Sequence, residues 1–90
     1  METNNKPQQR WGRWYLVGTR APSLNIQFTR SYTYWIDLDT CRSQAQRKRW
    51  INHMTEKRRF IRQKDIIDLK LAFQDLLECG IIRGNNIHEN

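Results

Sequence analysis

Long apolar runs are missing from this 90-residue chain. A membrane-spanning helix needs ~20 consecutive apolar residues, and no stretch approaches that. Nor does an apolar segment follow the polar start METNNKPQQR as it would in a signal peptide. Cysteine is scarce. Cys41 and Cys79 stand far apart in no framework spacing, so the expectation is two reduced thiols in an intracellular, cytoplasmic protein, with a single disulfide as the alternative. Together with His53 and His88 they lack zinc-ligand spacing such as C-x2-C. Glycine is confined to Gly12, Gly18, Gly80 and Gly84, which form no phosphate-cradling loop. No G-x-S-x-G elbow or Cys–His context marks a nucleophile. Asp37 and Asp39 fall on one side of a strand, but a metal-dependent nuclease needs further converging acids or a His. A turn or capping role is the simpler reading for Asp39. The chain therefore reads as a non-enzyme, with no catalytic residue, metal or cofactor expected.

Acid is what the middle of the chain lacks. From Arg42 to Lys64, RSQAQRKRWINHMTEKRRFIRQK, nine of the sixteen Lys and Arg residues stand against Glu56 alone, giving +8. The whole chain carries +7, so the remainder is close to neutral. Such a balance points to a polyanion, or to an acidic protein surface, as partner.

Aromatic residues are plentiful, with four Trp, three Tyr and three Phe, so the chain has apolar area to bury and is not a disordered tail. Residues 1–10 and 81–90 are mostly polar and aperiodic and read as flexible tails. That leaves one domain over 11–80. A domain this small buries only ~60% of its unfolded surface, so a homodimer or a stabilising partner would fit the marginal core.

Within the domain, WGRWYLV (11–17) reads as a first strand closed by Gly18, and GTRAPS as a turn. LNIQF alternates Leu24, Ile26 and Phe28 against Asn25 and Gln27, the period of a strand buried on one face. YTYWIDL alternates again, with Tyr32, Tyr34, Ile36 and Leu38 on one side and Trp35 on the other. Ser43 followed by Gln46 has the form of a capping box and opens a helix from about Gln44 to Lys57. On it Arg47, Ile51, Met54 and Arg58 fall along one line with Trp50 beside it, while Lys48, Arg49, Asn52 and Glu56 fall on the opposite, outward face. In the following RRFIR, Phe60 or Ile61 should dock on the core. A second helix spans Gln63 to Glu78, with Ile66, Leu69, Phe73, Leu76 and Leu77 at helical spacing and Gly80 placed to end it. The fold class is α+β: a small three-stranded antiparallel meander followed by two helices packed on one face.

Two constellations bear on function. Lys48, Arg49, Lys57, Arg58, Arg59, Arg62 and Lys64 are candidates for phosphate contacts. Their bland alternative is a solvated face whose cations pair with Glu56, Asp65 and Asp68. Among the aromatics, Trp14 and Trp35 alternate away from their neighbours and are candidates for base stacking or a protein interface, with core filling and strand edge as the simpler alternative. The leading expectation is a small basic accessory protein that binds DNA or RNA without sequence preference. The alternative is a protein-interaction module, an inhibitor or adaptor of the kind phages and mobile elements encode, seated on a larger protein or nucleoprotein assembly. No membrane association is expected under either.

Overall fold

The computed structural model describes residues 9–84. Four strands form one antiparallel meander: β1 (Arg10–Trp11), β2 (Trp14–Val17), β3 (Ser23–Thr29) and β4 (Tyr32–Asp37), side by side in that order. A 3₁₀ turn (Leu38–Thr40) leads into α1 (Gln44–Thr55), and α2 (Gln63–Glu78) follows. The domain is thus α+β with two helices, but the sheet has four strands rather than the expected three. Gly12 is the reason. Its φ is +61°, and no non-glycine residue among those described has a positive φ. Gly12-Arg13 is therefore a two-residue hairpin turn with glycine at its first central position, as in type II′. It folds WGRWYLV back on itself and sets Trp11 opposite Trp14.

That reversal also corrects the expectation for Trp14. In a continuous strand Trp11 and Trp14 would face opposite sides; as a cross-strand pair they share one. Trp14 is fully buried, and its indole N–H donates to the Asp65 carbonyl at 2.9 Å. It is unavailable for stacking on a base or for an interface.

The inner face continues in register. Leu24 lies opposite Ile36, and Ile26 opposite Tyr34. Leu24, Ile26 and Ile36 are completely buried against Met54 of α1 and Leu69, Phe73 and Leu76 of α2. A register shift between Gln27 and Thr29, around Phe28, precedes the β3–β4 turn. Asp37 caps the 3₁₀ turn by accepting from the Asp39 backbone N–H at 3.0 Å, and its carbonyl accepts from the Thr40 hydroxyl.

Both helices begin and end for local reasons. Ser43 and Gln46 form the capping box, the serine hydroxyl accepting from the Gln46 N–H and the Gln46 carboxamide oxygen accepting from the Ser43 N–H, each at 3.0 Å. At α2 the Asp65 carboxylate accepts from the Arg62 N–H at 2.8 Å. Gly80, with φ +86°, ends α2 and lets the Ile82 N–H return to the Leu76 carbonyl at 2.9 Å. Ile82 is thereby buried in the core, so the domain extends beyond residue 80. The rest of the expected tails, residues 1–8 and 85–90 with His88, lies outside the described residues. No helix among the described residues is long and apolar enough to cross a membrane.

α2 presents acids to the sheet rather than an unbroken apolar stripe. Asp65 and Asp68, both buried, and the half-buried Asp75 all point at the β1–β2 hairpin. Asp75 accepts from the Trp11 indole N–H at 2.8 Å, and Asp65 forms a salt bridge with Arg13. Asp68 lies so close to the hairpin tip that a Cβ on Gly12 would stand 2.1 Å from its Oδ2. Ile67 and Leu71 lie exposed on the opposite side of α2.

Candidate nucleic-acid interface

The loop that carries the C-terminal part of the basic segment is anchored by apolar and aromatic contacts at Phe60 and Ile61. Ile61 is buried in the core. Phe60 remains partly exposed but stacks on Phe28 at 5.4 Å and meets Tyr32 edge-on at 5.1 Å between ring centroids. The Phe60 carbonyl also accepts from the Arg13 guanidinium at 2.8 Å. Arg58 and Arg59, immediately before Phe60, are thus displayed from a fixed loop. The Arg30-Ser31 turn joins the two strands whose Phe28 and Tyr32 rings hold Phe60, so Arg30 is carried at this same end of the molecule.

The seven expected cations separate into two groups. Arg62 and Lys64 are engaged: Arg62 pairs with Asp65 at 3.2 Å and Lys64 with Asp68 at 2.8 Å. Lys57 places its ammonium 4.6 Å from the Tyr34 ring centroid, within range of a cation–π contact. Lys48, Arg49, Arg58 and Arg59 are exposed, and among the described residues they make no hydrogen bond or ion pair. The solvated-face alternative therefore describes part of the cluster and not the rest.

Asp65 concentrates the internal electrostatics. Burial pushes its carboxyl up, but hydrogen bonds from Arg13, Arg62 and the Arg62 backbone N–H outweigh that and hold it well below the usual carboxylate range. Arg62 is raised in turn, chiefly by its hydrogen bond to Asp65. These side chains build the junction between the loop and α2.

The free cations do not converge on one point. Arg49 faces a cavity beside Thr40, Trp50 and His53. Lys48 turns the other way, to the groove between the helices, where it joins Arg47 and Lys70. Arg47 is not free, since its guanidinium donates to the Cys41 and Arg42 carbonyls at 2.9 and 3.0 Å. At the far end of α1, Arg42 comes together with Arg20 and Arg83 around a polar hollow that also contains Asp39, and the Arg42 Nε donates to the Arg83 carbonyl at 3.1 Å. Arg20, Arg30, Lys70 and Arg83 were not among the sequence candidates. Their positions depend on tertiary contacts that no local spacing announces.

Trp35 is 62% exposed on the outer face of the sheet, in a row with Tyr15 and Asn25. No helix covers that face in the described residues. The buried Cys41 thiol is pushed up to about 12 by desolvation, which leaves it un-ionised and inert near neutrality. Both cysteines are free thiols. Among the described residues, no group of three or more His, Cys, Asp or Glu side chains is placed to hold a metal ion. No family model matches the chain, and no curated protein or solved structure matches it either.

Proposed function

We propose that this protein binds nucleic acid through sequence-independent phosphate contacts, without catalysing a reaction. The carrying observation is that Lys48, Arg49, Arg58 and Arg59 are solvent-exposed with no acid partner among the described residues, while Arg62 and Lys64 are neutralised internally. Unpaired cations along one helix and its following loop keep their full attraction for an external polyanion. Their spread favours an extended ligand over a small anion. Lys48 and Arg49 lie in the middle of α1 and turn to different sides, toward the groove between the helices and toward the cavity beside Trp50, while Arg58 and Arg59 follow the helix in the loop. Cations set apart in this way meet different phosphates rather than summing at one.

The test is a titration of labelled single-stranded DNA, duplex DNA and RNA at several salt concentrations. Each phosphate neutralised contributes about −0.9 to the slope of log K against log salt for duplex DNA. Four contacts therefore predict a slope of about −3 to −4 for the duplex. No binding near physiological salt would refute the reading.

The outer face of the sheet supports a second reading, a protein interface. Trp35 and Val17 are 62% and 45% exposed there, and large aromatics are frequent hot spots of such interfaces. Under that reading Trp35→Ala abolishes capture of the partner, and nucleic acid binds poorly at physiological salt. Partner capture unaffected by Trp35→Ala would count against it.

A further inference from the structure

Beside α1 lies a cavity of about 400 Å³ lined by Thr40, Gln46, Arg49, Trp50 and His53, within the ~300–1,000 Å³ range of small-ligand pockets. Its walls are aromatic, and the Gln46 amide N–H2 and the Arg49 guanidinium bring donors to it. The Trp50 and His53 rings stand at 79° to each other with centroids 5.6 Å apart, forming a corner. Neither is loose. The Trp50 indole N–H donates to the Thr40 hydroxyl oxygen at 2.9 Å, and the His53 Nε2 and Tyr34 hydroxyl are hydrogen-bonded at 2.9 Å. Tyr34 backs both rings, at 6.5 Å from Trp50 and 6.0 Å from His53.

A planar ligand can stack on one wall of such a corner and meet the other edge-on, the two arrangements aromatic groups prefer. The Gln46 carboxamide oxygen already accepts from the Arg42 and Ser43 N–H groups at 2.8 and 3.0 Å. Only the amide N–H2 of Gln46 is left to engage a ligand, and it can only donate. Arg49 adds a guanidinium with no hydrogen-bond or ion-pair partner among the described residues. Among the described residues, no carboxylate lines the cavity. The ligand that matches is flat, rich in acceptors and negatively charged.

From this arrangement we infer that the Trp50–His53 corner receives one unpaired nucleobase of a bound single strand, with Arg49 on the adjoining phosphate. The inference rests on the nucleic-acid reading above and adds a preference to it: single strands over duplex, because a paired base cannot enter. It also moves base stacking from the outer face of the sheet to the flank of α1.

Three probes test it at one fixed salt concentration: a short oligothymidylate, an abasic strand of equal length, and a duplex of equal length. Stacking contributes ~1–3 kcal/mol per base, so Trp50→Leu and His53→Ala should each weaken oligothymidylate binding on the order of tenfold. Duplex and abasic-strand affinities, and the salt slope, should stay as in the unaltered protein. His53 is exposed, so His53→Ala carries the test should Trp50→Leu fail to fold. Unchanged oligothymidylate affinity, or an equal loss on all three probes, would overturn the corner as a base site while leaving phosphate binding intact. Failure of the unaltered protein to bind any probe would overturn the parent reading as well.

Discussion

Asp65 shows how one side chain can be both buried and charged here. It accepts hydrogen bonds from Arg13, from the Arg62 side chain and from the Arg62 backbone, so its ionised form is well satisfied without water. Arg13 and Arg62 remain partly in solvent, at 30% and 63% side-chain exposure, which screens the pair and discounts its strength. The folded carboxyl therefore titrates below the unfolded value of ~3.9. Below about pH 4 the unfolded chain takes up this proton before the folded one, so stability present at neutral pH falls as the solution is acidified toward the folded pKa. Asp65→Asn should lower stability at pH 7 by ~1–3 kcal/mol, the scale of hydrogen bonds to a charged group, and flatten the acid limb of the stability–pH curve. Denaturant unfolding at pH 7 and near pH 3 checks both. An acid limb as steep in the variant as in the parent would contradict the assignment.

Gly12 is the second such position. Its positive φ and the 2.1 Å that would separate a Cβ from Asp68 Oδ2 both act against any larger residue. Gly12→Ala should cost ~1–3 kcal/mol, the scale of a strained backbone position, and a thermal unfolding curve unchanged from the parent would refute it.

At the scale of elements, the β1–β2 hairpin and α2 explain each other. Trp11, Gly12 and Arg13 meet Asp75, Asp68 and Asp65 in turn, so three acids along one helix seat one hairpin. What was legible in the sequence is what depends on neighbours in the chain. The limits of α2 follow from its apolar spacing and Gly80, and the start of α1 follows from Ser43 and Gln46. Docking of at least one of Phe60 and Ile61 was readable because apolar residues among arginines have few other places to go, while the burial of Ile61 in particular was not.

The hairpin was not legible in the same way. Trp11 and Trp14–Val17 favour strand on either side and mask the Gly-x turn signal between them, while the close approach of Asp68 to Gly12 comes from 56 positions away. The burial of Trp14 was lost with it, because that follows from the reversal at Gly12. The pairing of Arg62 with Asp65 and Lys64 with Asp68, at i,i+3 and i,i+4, lay within reach of helix spacing and appeared as the bland alternative. Which cations would remain unpaired depended on which carboxylates the hairpin left accessible, and that is a tertiary matter.

Across the whole molecule, a formal charge of +7 is partly internal and partly displayed. The displayed part runs from Arg20, Arg42 and Arg83 at one end of α1, past Arg49, to Arg58 and Arg59 in the loop at the other. Under the proposed function these cations would meet a polyanion at several phosphates, none of which reads sequence. Affinity should then be steeply salt-dependent and similar for unrelated sequences of the same strandedness.

The most direct measurement compares the salt dependence of nucleic-acid binding by the unaltered protein with that of an Arg58→Ala, Arg59→Ala double variant. Both side chains are exposed and have no hydrogen-bond or ion-pair partner among the described residues, so the variant should keep its thermal stability within about 0.5 kcal/mol. The account predicts weaker binding to every sequence and a log K against log salt slope shallower by about two. A folded double variant that binds with the original affinity and slope would contradict the central claim.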